Sequence, residues 1–297
     1  MNDIVMPKPP LAPVVFDRSP GYWQTVGRRF TRDRVAMGAA LVVAFLLILA
    51  VFGPWLVPAD PYASSMLKRL KPIGFEGHPL GTDELGRDML SRLMVGARLS
   101  LFMGITPVIL AFVVGSLIGI TAGYAGGTLN SVMMRTIDVF YAFPSVLLAI
   151  ALSGALGAGI TNTLISLTIV FIPPIARVAE SVTTQIRGRD FVDAARASGA
   201  NAFTIVRVHV LGNVLGPIFV YATSLIAVAM ILASGLSFLG LGVKPPEPEW
   251  GLMLNTLRTA IYVQPWIAAL PGVMIFITSI AFNLLADGLR TAMEVKQ

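Results

Sequence analysis

The residues that could do chemistry are few in this 297-residue chain, and most of them lie in two polar segments. Residues 78–101 read HPLGTDELGRDMLSRLMVGARLSL, and residues 187–213 read RGRDFVDAARASGANAFTIVRVHVLGN. The chain contains no cysteine and two histidines, His78 and His209, so it offers no thiolate for nucleophilic catalysis or metal binding. One histidine beside surface carboxylates lacks the paired ligand spacing of a zinc site. We therefore expect no catalytic residue and no metal site in this chain.

Nucleotide binding and nucleic-acid binding are both disfavoured. No G-x-x-x-x-G-K-[ST] sequence occurs in the chain, so it lacks the loop that cradles ATP phosphates in that way. Residues 187–213 could fold as a helix–turn–helix, but they are tethered between long apolar runs and are only mildly basic, unlike a DNA-binding module. We expect no cofactor and no nucleic-acid partner for this chain.

The composition is that of a membrane protein. Charged residues make up 13% of the chain and hydrophobic residues 55%, whereas a soluble domain has about 25% charged residues. The long runs without Asp, Glu, Lys or Arg can each supply the roughly 20 residues that a membrane-spanning helix needs, and they do not alternate as barrel strands do. We predict an all-α integral membrane fold with six transmembrane helices, at about 35–57, 99–122, 136–156, 162–181, 214–240 and 266–286.

The distribution of basic residues predicts the orientation. If the N-terminus is cytoplasmic, fourteen of the 22 Lys and Arg residues lie inside and eight outside, as the positive-inside rule favours. The loop at 58–98 is itself basic, but the cluster RRFTRDR directly precedes the first span, and no signal-peptide pattern is visible. We predict cytoplasmic termini, with a tail at 1–34, a first helix and external loop at 35–98, a five-helix core at 99–290 and a tail at 291–297.

Residues 187–213 predict two short helices between the fourth and fifth spans. Asp190 can cap the first helix, and Asp193 lies in its first turn, where a negative charge suits the helix dipole. Gly199 is placed to end this helix in a left-handed conformation, and Asn201 can cap the second helix. The segment alone is equally consistent with an amphipathic loop that rests on lipid headgroups. The first helix also contains three small, strong helix formers, Ala194, Ala195 and Ala197.

Residues 78–101 predict a helix that lies on the outer membrane surface and leads into the second span. Thr82 can cap this helix. Apolar residues then recur every four positions, as they do on one face of an amphipathic helix, at Leu85, Met89 and Leu93.

Polar residues inside a bilayer are costly and usually functional, and they are scarce in this chain. Arg135 with Asp138, and Arg177 with Glu180, lie three residues apart and can pair along one helix, either to set helix depth or to take part in gating. Small, weakly polar residues could line a translocation path, although such residues also serve helix packing. We single out Ser237, Ser279 and Asn283.

The sequence DAARASG, followed by nine residues and then HVLGN, closely resembles the EAA loop of ATP-binding-cassette (ABC) importer permeases. The family pattern is Glu-Ala-Ala, three residues, Gly, nine residues, and an apolar residue two before Leu-Pro. Here Asp replaces Glu, and Gly212 replaces the proline. The histidine of HVLGN is typical of the dipeptide, oligopeptide and nickel branch. The matching residues are Asp193, Ala194, Ala195, Gly199 and Leu211.

Two further segments resemble the C-type subunits of this branch. Residues 78–101 resemble their stretch before the second span, and SFLGLGVKPPEPEWGLML at 237–254 resembles their external loop after the fifth span. The resemblance covers roughly residues 30–292. The external-face motif that it identifies consists of Gly81, Thr82, Asp83, Gly86, Arg87 and Asp88.

The resemblance implies a six-helix permease of the type I importer kind in the bacterial inner membrane. Its partners would be a homologous second permease, two cytoplasmic ATPases that hold ATP and Mg²⁺, and an extracytoplasmic binding protein. The helix at 190–202 would be the coupling helix, seated in a groove of an ATPase. Substrates of the branch include dipeptides, longer peptides, glutathione, nickel complexes and opine-like compounds. The ATPase-coupling residues would be Asp190, Phe191, Asp193, Ala194, Ala195, Ala197, Gly199, Asn201, His209 and Leu211.

Two other classes of function are weighed against this one. A secondary transporter or channel would work without an ATPase, but it would need ionisable relays at mid-depth or broken helices that hold ions, which the sequence does not indicate. A membrane-embedded enzyme would need a nucleophile or a metal at the membrane. Within the importer resemblance, an exporter is disfavoured because the chain has no fused ATPase.

Overall fold

The computed structural model describes residues 21–294. Regular structure in this part of the chain is helical, and β-pairing within it is limited to two isolated bridges. The all-α prediction is therefore confirmed. Residues 1–20 of the predicted N-terminal tail and residues 295–297 of the predicted C-terminal tail lie outside the described residues.

The helices fall into long membrane-spanning candidates and short connecting elements. The long ones are α2 (Arg34–Leu56), α3 (Met89–Ala125), α6 (Ile160–Arg187), α9 (Leu211–Phe238) and α11 (Pro265–Met293). The shorter ones are α1 (Tyr22–Arg32), α4 (Gly127–Tyr141), α5 (Ser145–Leu156), α7 (Asp190–Ala197), α8 (Ala202–Ile205) and α10 (Trp250–Thr256). A π-helical turn at Val206–Val210 joins α8 to α9.

Among the described residues, five helices are long and apolar enough to cross a membrane, and α4 and α5 together make a sixth candidate span. The two helices of that pair are bent by 85°, so the prediction of one continuous helix at 136–156 is wrong. Pro144 lacks a backbone N–H and disfavours helical geometry at the residue before it, which explains why α4 stops at Tyr141 and a new helix begins at Ser145.

Helix α3 lies at the centre of the bundle and packs against α2, α6 and α9. One hydrophobic core lies between α3, α5, α6 and α9 and includes Val192 of α7. A second core joins α2, α3, α9, α10 and α11 around Trp250, Met89 and Ile267. The two cores meet along α3 and α9, so these two helices connect both halves of the bundle.

A stripe of glycines lets α3 approach α6 closely. Gly115, Gly119 and Gly123 recur every four residues on one side of α3. A Cβ atom added at Gly119 would lie 2.6 Å from the Ala179 Cβ and 2.8 Å from the Glu180 backbone N. At Gly123 an added Cβ would lie 2.7 Å from the Glu180 carbonyl oxygen. Small residues at such positions are the usual means by which membrane helices pack closely.

The bundle has two distinct ends. Helix α7 lies at one end together with α1 and the C-terminal end of α11, where the Arg29 Nη1 donates to the Glu294 carbonyl oxygen at 3.1 Å. We call this the α7 end. Residues 57–88 and 239–264 meet at the opposite end, the α10 end, where the Tyr62 hydroxyl donates to the Glu247 carboxylate at 3.0 Å.

Candidate functional site

Helix α7 follows α6 after a two-residue connection at the α7 end. Its N-cap is Arg189, which makes no capping hydrogen bond through its side chain. The prediction that Asp190 caps this helix is therefore wrong, because Asp190 is already its first helical residue. Asp190 and Asp193 both lie in the first turn, where their negative charges suit the positive end of the helix dipole.

Gly199 ends α7 in the left-handed conformation that the sequence predicts, with φ of 81°. The Gly199 N–H donates to the Arg196 carbonyl at 2.9 Å, and the Ala200 N–H donates to the Ala195 carbonyl at 3.1 Å. These two bonds form a Schellman motif, which satisfies carbonyls at a helix end and fixes the direction in which the chain leaves.

Asn201 caps the next helix as predicted, since its side-chain oxygen accepts a 2.8 Å hydrogen bond from the Thr204 N–H. That helix is not a separate short element, however. It runs from Ala202 through the π-helical turn into α9 and ends at Phe238. The prediction of two short helices is wrong in this respect, and the helical path stays unbroken through Gly212 because glycine weakens a helix without blocking its hydrogen bonds.

Residues 187–213, the predicted contact with an ATPase and here called the coupling segment, are anchored by a few apolar side chains and otherwise face outward. Val192, Ile205 and Val210 are buried in the core beneath it. Large apolar side chains at the surface include Phe191 and Phe203, and the exposed predicted residues beside them are Asp190, Asp193, Ala194, Ala197, Gly199 and Asn201. An outward surface of aromatic rings and small side chains is suited to burial against another protein.

Two contacts fix side chains within this segment. Arg196 donates to the Asp193 carboxylate at 2.8 Å and lies over the Tyr124 ring, with 6.0 Å between its guanidinium carbon and the ring centroid. The half-buried His209 ring lies 6.3 Å from the Phe191 ring between centroids. His209 therefore lies against the predicted docking helix, while Leu211, the first residue of α9, packs against the core.

The predicted external-face motif forms one compact turn at the α10 end, and its side chains point into the protein. Asp83 accepts hydrogen bonds from the Arg87 Nε at 2.6 Å and from the backbone N–H groups of Leu85 and Arg87, both at 2.9 Å. The Arg92 Nε lies 3.2 Å from the same carboxylate. Each member of the motif is buried, namely Gly81, Thr82, Asp83, Gly86, Arg87 and Asp88. The motif thus holds the loop 57–88 in shape.

The predicted helix that begins after Thr82 is absent, and α3 begins at Met89 instead. Asp88 caps α3 by accepting a 2.8 Å hydrogen bond from the Ser91 N–H. Thr82 instead joins two stretches of the loop, since its hydroxyl donates to the Lys68 carbonyl and accepts from the Lys71 N–H at 2.9 Å. Of the three apolar residues with four-residue spacing, Met89 and Leu93 are buried in the first turns of the second span, whereas Leu85 is exposed in the loop before it.

His78 is engaged in this loop as well. Its Nδ1 lies 3.0 Å from an Asp88 carboxylate oxygen, and its Nε2 lies 3.3 Å from the Lys68 ammonium nitrogen. Within residues 21–294, no group of three or more His, Asp and Glu side chains is placed to hold a metal ion.

Two cavities lie in succession along α6 and α9. The larger, of about 550 Å³ at the α7 end, is lined by Val178, Tyr221 and Ser224 and by the C-terminal turns of α11 with Asp287 and Arg290. The smaller, of about 250 Å³, is lined by the α4–α5 break and by further turns of α6 and α9, including Tyr141, Ser145, Phe171, Pro174 and Val228. We refer to these two cavities together as the α6–α9 groove.

The three predicted path residues occupy different environments. Asn283 is exposed on α11, one turn before Asp287 of the larger cavity. Ser279 is buried one turn before Asn283 on the same side of the helix, and its hydroxyl has no hydrogen-bond partner among the described residues. Ser237 is fully buried near the α10 end, where its hydroxyl accepts a 3.4 Å hydrogen bond from the Val243 N–H. Their role in translocation stays a prediction.

Glu249 is an important residue that the sequence reasoning missed. It is 1% exposed, caps α10 by accepting 2.8 Å hydrogen bonds from the Gly251 and Leu252 N–H groups, and accepts a 3.2 Å bond from the Ser100 hydroxyl of α3. Burial raises the pKa of this carboxyl, and the two backbone hydrogen bonds partly oppose the shift. An acidic residue directly before an apolar run is a recognisable N-cap signal, but its burial arises only from the packing of α3, α9 and α10.

Replacing Glu249 with alanine is expected to destabilise the folded chain by about 2 kcal/mol, because the substitution removes a helix cap and leaves two buried N–H groups without a partner. A thermal unfolding curve of the purified protein in detergent, followed by tryptophan fluorescence, measures this effect. Glu247→Ala is the matched control and should cost less than about 1 kcal/mol, because the hydrogen bond that Glu247 accepts comes from the exposed Tyr62 hydroxyl. Equal midpoints for the two variants would contradict the capping role.

Comparison with known families gives two matches along this chain. Residues 115–296 match the family described as binding-protein-dependent transport system inner membrane component. Residues 21–72 match the N-terminal TM domain of oligopeptide transport permease C. The first match includes α6, the coupling segment, α9 and α11, and the second includes α1 and α2.

Curated relatives match this chain along nearly its full length. The glutathione transport system permease protein GsiD of Pectobacterium atrosepticum is 40% identical over 285 residues, which cover 96% of this chain and 95% of the relative. The protein of the same name from Escherichia coli O157:H7 is 42% identical over 274 residues, covering 92% and 90%.

Among solved structures, the chain resembles one from the inward-facing MetNI methionine ABC transporter, with a TM-score of 0.57 and 20% sequence identity. The likeness covers 69% of this chain and 97% of that one. A second crystal form of the same transporter gives a TM-score of 0.54 at 19% identity. At this level of identity the likeness establishes the shared fold alone.

Proposed function

This chain belongs to the family of binding-protein-dependent transport system inner membrane components, and we propose that it carries glutathione or a closely related short peptide into the cell. The chain is a multi-pass inner membrane protein and the permease subunit of an ABC importer. ATP hydrolysis takes place in another component, so the permease itself is not an ATPase.

The near-complete coverage of the GsiD relatives supports this substrate, because more than 90% of this chain aligns with permeases named for glutathione transport. A peptide-like substrate also agrees with the match of residues 21–72 to oligopeptide permeases. The transport assay below distinguishes glutathione from the other substrates of the branch, which are dipeptides, longer peptides, nickel complexes and opine-like compounds.

Helix α7 is the proposed contact with the ATPase, and its outward surface is the observation that carries this part of the proposal. Val192 fixes the helix to the bundle, while Phe191, Ala194 and Ala197 are left at the surface. An aromatic ring beside small side chains can enter a groove and be covered closely by its walls. ATP and Mg²⁺ would be bound by the partner ATPases.

The connections of α7 explain how its movement would reach the translocation path. Gly188 and Arg189 alone separate α7 from α6, and the Schellman motif at Gly199 passes the chain directly to the helix that continues as α9. Helices α6 and α9 both line the α6–α9 groove. Displacement of α7 by ATPase closure would therefore tilt both helices together and open the groove to the other side of the membrane, as alternating access requires.

The proposed assembly places the α7 end in the cytoplasm and the α10 end outside. The excess of Lys and Arg on the α7 side supports this orientation. Two ATPases would dock at the α7 end, and a homologous second permease would complete the path. The binding protein would dock at the α10 end, near the proline-rich residues 244–249.

Uptake of radiolabelled glutathione by proteoliposomes that contain the complete complex tests the proposal. Accumulation should require internal ATP and the loaded binding protein, and it should cease when the catalytic site of the ATPase is inactivated, since the permease has no energy source of its own. Unlabelled dipeptides and longer peptides, added as competitors, define the substrate class.

Two results would contradict the proposal. Uptake that persists without ATP would favour a secondary transporter or a channel. ATP-dependent uptake of a different compound, with none of glutathione, would retain the importer function and reject the substrate.

A further inference from the structure

An ion pair joins α4 to α6 at the surface of the chain. The Arg177 guanidinium donates to the Asp138 carboxylate, so Asp138 pairs with a neighbouring helix and not with Arg135 as the sequence predicts. Glu180, the predicted partner of Arg177, instead accepts a 2.8 Å hydrogen bond from the Asn130 side chain. The two paired side chains are 49% and 37% exposed, so both can still be reached from outside the chain.

The pair lies deep within the spanning helices. Arg177 is ten residues before the end of α6 at Arg187, and Asp138 is eleven residues after the start of α4 at Gly127. At about 1.5 Å per residue, both lie about 15 Å along their helices from the α7 end, within the spans predicted at 162–181 and 136–156. Half-exposed charges at this depth are very costly in lipid, so such residues face a water-filled cavity or a protein interior.

The pair also lies between the two cavities of the α6–α9 groove. Along α6, Pro174 lines the smaller cavity and Val178 the larger one, and Arg177 comes between them. Asp138 precedes Tyr141 of the smaller cavity by three residues on α4. Along the α6 axis, the pair therefore lies at the level between the two cavities, although neither of its side chains lines them.

Helix α4 is loosely held, which allows the pair to open. Met134 and Ile137 are the residues of α4 that are buried in the structure, and α4 is joined to α5 through the 85° bend. A helix with so little buried surface can shift at small cost in packing. Asp138 can then leave Arg177 without disruption of the central α3–α6 contact.

We propose, building on the peptide-import function above, that Asp138 and Arg177 form a binding site on the translocation path for zwitterionic peptide substrates. Arg177 would take the substrate carboxylate, because its guanidinium suits bidentate pairing with a carboxylate. Asp138 would take the substrate ammonium group. The mutual ion pair is thus exchanged for two ion pairs with the substrate, and it reforms when the substrate leaves, so neither charge is left unpaired at depth.

The test uses the reconstituted complex with glutathione as the probe and four variants: Asp138→Asn, Arg177→Gln, the double variant with both changes, and Arg135→Gln as a control on the same helix. We expect uptake to fall at least tenfold in both single variants and in the double variant. Hydrolysis of ATP stimulated by loaded binding protein should stay within twofold of wild type in all four, which shows that they fold and assemble. Arg135→Gln should transport normally.

The double variant separates substrate binding from a structural role. If the pair only fastens α4 to α6, removal of both charges relieves the unpaired charge that each single variant leaves, and uptake should recover towards wild type. Such recovery would overturn the proposal, as would normal uptake in the single variants.

A second measurement does not depend on the substrate. In this cysteine-free chain, Tyr141→Cys should react with a charged, water-soluble thiol reagent, whereas Ile48→Cys, exposed in the middle of α2, should not. Equal lack of reaction at the two positions would place the pair in a dry environment and overturn the proposal. If the wild-type complex fails to import glutathione, the proposed substrate fails, and the labelling result still decides whether the pair lies on a water-filled path.

Discussion

Replacing Gly199 with valine should abolish the ATP hydrolysis that loaded binding protein stimulates, while the helical bundle stays inserted and the partner permease stays bound. The φ of 81° at Gly199 costs a β-branched residue about 1 kcal/mol or more. No atom lies within 4 Å of a Cβ built at this position, so the strain is conformational and not steric. The chain would relieve it by leaving α7 in another direction, and the displaced α7 surface would no longer fit the ATPase.

Co-purification of the ATPases with the variant permease, together with ATPase activity, measures this effect. Gly199→Asn is the matched control, because asparagine tolerates the left-handed conformation better than other residues with a side chain, and it should retain most of the coupling. Normal association and normal stimulated hydrolysis in Gly199→Val would mean that the Schellman motif does not position the ATPase contact.

Replacing Gly119 with leucine should prevent the permease from folding. The side chain would have to enter the space occupied by the Ala179 side chain and the Glu180 backbone, whose atoms lie 2.6 and 2.8 Å from an added Cβ. Overpacking of a core typically costs about 1–3 kcal/mol. We expect more than about 3 kcal/mol here, because backbone atoms of α6 cannot rotate aside and the α3–α6 contact lies at the centre of the bundle.

The yield of monodisperse protein after detergent extraction measures the outcome, and it should fall to background for Gly119→Leu. Gly38→Leu is the control, since Gly38 is exposed on α2 and no atom lies within 4 Å of its added Cβ. A normal yield of Gly119→Leu would show that α3 and α6 can separate without loss of the fold.

The parts of the coupling segment that the sequence predicts correctly are those fixed by local chemistry. The left-handed Gly199 and the cap at Asn201 depend on a few neighbouring residues, and both occur as expected. The cap at Asp190 is wrong by one residue, because the connection after α6 is so short that Arg189 takes the capping position. The residues that cap or end a helix act locally, but the residue at which the helix begins depends on the preceding element.

Features that depend on packing between distant segments were not predictable in the same way. The pairing of Asp138 with Arg177 depends on the packing of α4 against α6, two helices that are distant in sequence. The start of α3 at Met89 depends on the loop 57–88, in which the His78 side chain contacts the Asp88 carboxylate that caps the helix. The four-residue spacing of glycines in α3 is visible in the sequence, but the sequence does not show which helix packs against them.

The central claim is that α7 is the contact through which the ATPase drives this permease, and single-cysteine cross-linking tests it most directly. The chain has no cysteine, so Ala194→Cys, on the exposed surface of α7, can carry one photoreactive maleimide. In the assembled complex this probe should cross-link to the ATPase, and the same probe at Glu76→Cys, in the loop 57–88 at the α10 end, should cross-link to the binding protein and never to the ATPase. Failure of Ala194→Cys to cross-link to the ATPase, in a complex that still hydrolyses ATP when stimulated, would contradict the claim.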